Sequence, residues 1–129
     1  MPEKVDAQQK KVRRLLSRQR ELVASLLSLR EQLRGSLFTR FGSCGKAGCA
    51  CRTGEGHGPY YVLSRGGRGA AGFRYLDAQG ASEARRRVSG YRRFRGGMRR
   101  LRTLNRELLD ALKRYQDAVS RREGLKMGL

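Results

Sequence analysis

Residues 91–119 read YRRFRGGMRRLRTLNRELLDALKRYQDAV, and Tyr91, Phe94, Met98, Leu101, Asn105, Leu108, Leu112, Tyr115 and Val119 recur at steps that alternate between three and four. That alternation is the seam of a long helix that must lie against another apolar surface. Asn105 is the one amide on the seam, and a polar residue in such a position fixes register at some cost in stability. The helix is expected to start at Ser82, whose hydroxyl suits an N-cap, and to run to Arg122, with 123–129 as a tail. Gly96 and Gly97 fall inside it and should weaken or bend it.

Upstream, residues 4–34 contain neither Gly nor Pro, and Val5, Val12, Leu15, Leu22, Leu26, Leu29 and Leu33 fall on a second seam completed by Gln8 and Gln19. Pro2 suits a first turn and Gly35 a helix stop. Residues 36–80 separate the two seams and hold most of the 17 glycines. Within this insert Ser36–Phe41, Pro59–Ser64 and Gly72–Leu76 read as short strands, the last two joined by a glycine-rich turn from Arg65 to Gly69. The expected fold is therefore mainly α within a single domain, residues 1–129. Two long helices form an antiparallel coiled-coil hairpin, with a two- or three-stranded β module between them. Their unequal lengths leave part of the Tyr91–Val119 seam for a homodimer or a partner helix.

A sheet that small is hardly stable alone, and the insert carries its own staple. Cys44-Gly-Lys-Ala-Gly-Cys49-Ala-Cys51 is followed by His57, the chain's only histidine. Three Cys and one His are a standard closed ligand set for structural Zn²⁺. Gly45, Gly48, Gly56 and Gly58 allow the backbone to curl around Cys44, Cys49, Cys51 and His57. Four protein ligands leave no position for a catalytic water, so a single structural zinc is expected. Reduced cysteines beside a surface His form the plain alternative. An iron–sulfur cluster fits less well, because a fourth Cys is missing. Three clustered cysteines also do not make a secreted disulfide framework.

The chain carries 30 Lys plus Arg against 11 Asp plus Glu, a net charge of +19. Between Arg34 and Arg106 there are 17 basic residues against Glu55, Asp77 and Glu83, or +14. Charge of this kind favours polyanionic partners, nucleic acid above all. The expected contact residues are Arg40, Lys46, Arg52, Arg65, Arg68, Arg74, Arg85, Arg86, Arg87, Arg92, Arg93, Arg95, Arg99, Arg100 and Arg102. Nearly all are Arg, which pairs with phosphate through two hydrogen bonds. Tyr60, Tyr61, Phe73 and Tyr75 read first as the small core of the zinc module, and second as rings that stack on unpaired bases. No stretch approaches the ~20 apolar residues that span a bilayer. The coiled-coil-like seam does not suit membrane association, so no membrane partner is expected.

The Cys44–Cys51 cluster, Gly56-His57-Gly-Pro-Tyr-Tyr61, Tyr91-Arg-Arg-Phe94 and Leu104-Asn105-Arg-Glu-Leu108 together resemble a bacterial family of short proteins of unknown function. Some of its members accompany transposases or recombinases on mobile elements. The resemblance spans Ser36 to Leu109 and implies one shared design for the metal module in a bacterial cytoplasm. It implies no activity. The chain departs from it in the Gly- and Ala-rich turn from Arg65 to Gly72, where a more polar turn is expected.

Catalysis is not expected. The only His is committed to metal, no phosphate loop is present, and the acids are too scattered to hold magnesium. The expected function is non-catalytic nucleic-acid binding, with DNA ahead of RNA because of the mobile-element resemblance. The alternative is a coiled-coil adaptor or oligomerisation protein that docks on a recombinase, a transposase or another protein machine.

Overall fold

The computed structural model describes residues 2–42, 48, 56–66 and 72–129. In chain order the elements are α1 (Pro2–Ser28), β1 (Ser36–Gly42), β2 (His57–Ser64), β3 (Phe73–Leu76) and α2 (Ala78–Lys126). The fold is mainly helical, with a three-stranded antiparallel sheet between the helices in sequence. It divides into two compact units: a helical unit of Met1–Ser28 with Phe94–Leu129, and a sheet unit of Leu29–Arg93.

In the helical unit, α1 buries Val5, Leu15 and Leu26 and half-buries Gln8, Val12, Gln19 and Leu22. This is the expected α1 seam. On α2 the covered stripe keeps Leu101, Asn105, Leu108, Tyr115 and Val119, but it also takes in Gly97, Leu104, Ala111 and Ala118 and leaves Met98 and Leu112 exposed. Ala111 is 0% exposed whereas Leu112 is 42% exposed. Two helices approach most closely where the intervening side chains are small. The contact has rotated towards the small residues, and a Cβ on Gly97 would run into the Leu26 side chain. Gly97 is therefore a point of close approach inside a continuous helix. The Gln19 Nε2 amide donates to Asn105 Oδ1 at 2.7 Å, so the two seam amides satisfy each other. Replacing Asn105 with Leu should cost about 1–2 kcal/mol by stranding Gln19, and adding Gln19→Leu should recover most of it. A double-mutant cycle in urea measures this.

In the sheet unit the strand order is β1-β2-β3. Leu37 pairs with Leu63 and Leu63 with Arg74, while Phe38 pairs with Val62 and Val62 with Tyr75. The core is Leu63, Ala84 and Val88, with Leu33, Leu37 and Leu76 packed against it. Leu33 explains why α1 stops at Ser28 instead of continuing to Arg34. As part of an extended segment it reaches this core, and its N–H donates to the Arg87 carbonyl at 2.9 Å. Gly90 makes room for the segment, because a Cβ there would strike the Glu31 carbonyl oxygen. Helix propensity at Leu29–Arg34 has yielded to burial.

The α2 boundaries also lie beyond those expected from sequence. Asp77 Oδ1 accepts from the Gly80 N–H at 2.6 Å, so Asp77, and not Ser82, caps the helix. At the other end Gly128 has φ +77°, the Leu129 N–H donates to Gly124 O at 2.9 Å, and the Gly128 N–H donates to Leu125 O at 3.1 Å. This is a Schellman stop. Residues 123–126 are therefore the last turn of the helix.

Candidate nucleic-acid interface

The described strands bring His57 opposite Gly42, where β2 begins and β1 ends. Cys44 follows Gly42 by two residues in the chain. Two glycines flank His57 for steric reasons. Gly56 has φ +93°, and a Cβ there would stand 2.9 Å from Gly42 O; Gly58 has φ +147°, and a Cβ would stand 2.9 Å from Arg40 O. Any side chain at these positions would strain the backbone and collide with β1. The Gly58–Pro59 bond is cis, and the β1–β2 register shifts between Arg40 and Gly42. Cys44, Cys49 and Cys51 lie outside the described residues, as do the candidate contacts Lys46, Arg52 and Arg68. Among the described residues no group of three or more His, Cys, Asp or Glu is placed to hold a metal.

The other candidate contacts are placed. In the sheet unit Arg40 lies on β1, Arg65 follows β2, Arg74 lies on β3, and Arg85, Arg86, Arg87, Arg92 and Arg93 lie on α2. Arg86 pairs with Glu31 at 3.0 Å and Arg87 with Glu83 at 3.4 Å. Arg85, Arg92 and Arg93 are exposed, with no ion pair among the described residues. In the helical unit Arg95, Arg99, Arg100 and Arg102 are likewise exposed. Arg99 and Arg100 share a shallow groove of about 480 Å³ with Arg18, Leu22 and Glu107. Sequence reasoning missed Arg18, because its proximity depends on how α1 meets α2. A larger cavity of about 800 Å³ in the same unit is lined by residues including Lys4, Gln8, Asp117, Arg121 and Leu125, none of them a candidate contact.

The aromatic residues sit differently from their first reading. Tyr60, Phe73 and Tyr75 are 42%, 46% and 61% exposed and do not form the core. Leu63, Ala84 and Val88 form it instead, because one face of the sheet packs on α2. Tyr61 alternates onto the Leu63 face and is half-buried. Phe38, 42% exposed, belongs with the exposed rings and was not singled out by its sequence context. Alternation along Ser36–Phe41 was the signal for it. Among the described residues no helix is long and apolar enough to cross a membrane.

No curated protein and no solved structure matches the chain. The family model described as a domain of unknown function, DUF6788, matches residues 10–87. Those residues include most of α1, the whole sheet and the first turns of α2. Because the match covers more than half of the chain, this protein belongs to the DUF6788 family.

Proposed function

We propose that this protein binds nucleic acid without catalysis, through the arginines of α2, and that one structural zinc held by Cys44, Cys49, Cys51 and His57 clamps the sheet. The observation that carries the reading is the excess of exposed arginines on α2 without an ion pair among the described residues, which include Arg85, Arg92, Arg93, Arg95, Arg99, Arg100 and Arg102. Arginines held for structure are paired with acids, as Arg86 is with Glu31. Arginines that meet phosphate must be free to exchange water for it. DNA stands ahead of RNA only through the resemblance to proteins of mobile elements, which also suggests a bacterial cytoplasm. The test is the affinity for a short duplex and a single strand measured across salt. Absence of binding at low salt, or a flat salt dependence, rejects the reading.

The metal reading rests on His57 opposite Gly42, at the mouth of the segment that carries the cysteines, and on the two glycines that let it stand there. Thiolate and imidazole together suit zinc, and a closed site supplies folding energy. Metal analysis should give one zinc per chain. A chelator should remove hydrogen-exchange protection from residues 36–80 before it affects the helices. Protection that survives in a metal-free protein rejects the clamp.

An adaptor function has its own support. Met98, Leu109 and Leu112 are exposed on α2, at 40%, 67% and 42%. In this reading an antiparallel coiled-coil hairpin shows its outer face to a partner helix or a second copy. Leu109→Ala with Leu112→Ala should then abolish partner binding, while Arg92→Ala with Arg93→Ala leaves it intact. The reverse pattern rejects the adaptor.

A further inference from the structure

Strand register sorts the side chains of the sheet onto two faces. Leu37, Leu63 and Leu76 share the face that packs with Ala84 and Val88. Phe38, Tyr60, Val62, Phe73 and Tyr75 share the other, where Arg40 stands opposite Tyr60. Val62 at its centre is only 3% exposed, whereas the rings of Phe38, Tyr60, Phe73 and Tyr75 are 42%, 42%, 46% and 61% exposed. The rings meet in two edge-to-face pairs, Phe38–Phe73 at 6.3 Å and Tyr60–Tyr75 at 6.2 Å. They cover Val62 and leave flat aromatic surface open to solvent. A folded chain normally buries rings of this size, and a contiguous exposed set marks a contact surface.

Charge identifies the contact. From Ser36 to Leu76 there are six Lys plus Arg and one acid, Glu55, so the segment carries 6 − 1 = +5. Arg40 Nη1 donates to the Tyr75 hydroxyl at 3.3 Å, which holds a guanidinium at the rim of the rings. A neutral peptide would use the rings and ignore the charge. A strand of bases and phosphates uses both, its bases stacking on the rings and its phosphates meeting Arg40 at their rim. In a duplex the base faces are hidden in the stack, so only unpaired bases reach such a surface. We propose that the face formed by Phe38, Tyr60, Phe73 and Tyr75, with Arg40 at its rim, stacks the unpaired bases of a single-stranded nucleic acid. This rests on the nucleic-acid reading above and specifies the strand type and the place of contact.

The experiment uses the full chain, with fluorescence anisotropy on oligo-dT, oligo-U and a blunt duplex at one low salt concentration. Phe73→Leu and Tyr75→Leu keep apolar bulk and remove the ring. Each should weaken binding to the single strands about 5- to 150-fold, and binding to the duplex by less than about 2-fold. Tyr75→Phe keeps the ring and loses only the hydroxyl that accepts from Arg40, so it should weaken single-strand binding far less than Tyr75→Leu. The oligo-dT and oligo-U arms separate DNA from RNA, and the expected loss in either supports the platform. If the unsubstituted protein binds none of the three probes, the nucleic-acid reading fails and the platform with it. If it binds single strands and both Leu variants bind them equally well, or lose strand and duplex in parallel, the platform alone is overturned. Sedimentation that changes from dimer to monomer in the Leu variants overturns it too, by assigning the face to a contact between copies.

Discussion

Raising salt from about 50 to about 200 mM is expected to weaken nucleic-acid binding by about 10³-fold or more, if six or more phosphates are contacted. The magnitude follows from counterion release, since each phosphate neutralised by an arginine frees close to one condensed cation. Exposed arginines of α2 without an ion pair among the described residues reach that number: they include Arg85, Arg92 and Arg93 in the sheet unit, and Arg95, Arg99, Arg100 and Arg102 in the helical unit. Their effect is separable. Arg92→Ala and Arg93→Ala should each lower the slope of log affinity against log salt by about one and weaken all sequences alike. Arg86→Ala should change the slope less, because its guanidinium is already 3.0 Å from the Glu31 carboxylate. Equal slopes for the Arg86 and Arg92 variants would show that the pairing pattern does not select the phosphate contacts.

Ala111→Asp is expected to unfold the helical unit, whereas Leu112→Asp leaves it folded. Ala111 is 0% exposed, so a carboxylate there would be taken out of water. An unpaired buried charge costs several kcal/mol, a large share of the ~5–15 kcal/mol that holds a small domain together. Leu112 is 42% exposed, so its substitution should cost under about 1 kcal/mol. Both variants put Asp into the same turn of α2, so the loss of helix propensity is similar and burial decides the difference. Urea unfolding followed by circular dichroism reads it directly. If Leu112→Asp proves the more destabilising, the covered stripe runs through Leu112 after all.

The contrast between these neighbours shows how far the sequence could be read. The period of three and four along residues 91–119 establishes a long helix with a covered side, and Leu101, Leu108 and Tyr115 do lie on that side. The period does not establish the angle of the stripe, because two phases of one heptad share those positions. Hydrophobicity favoured Met98 and Leu112, which are exposed, while Asn105 stays on the contact through Gln19. Packing chose Gly97 and Ala111, since small side chains let α1 approach. On α1 no such choice existed, and Val5, Leu15 and Leu26 are buried as read.

The sequence by itself determined two helices around a two- or three-stranded insert, the use of glycine on both sides of His57, and the strongly positive charge. Each follows from local spacing or local chemistry: a heptad, an alternating strand, a glycine where only glycine fits, and charge with no counterpart nearby. Only the tertiary structure decided that Leu33 leaves its helix for the sheet core, that Asp77 caps α2, and that Phe38, Tyr60, Phe73 and Tyr75 stay in solvent. A three-stranded sheet has two faces and α2 covers only one of them. The alternating pattern places those rings together on one face. Which face meets the helix depends on long-range packing of Leu63 against Ala84 and Val88, which no local pattern along the strands encodes.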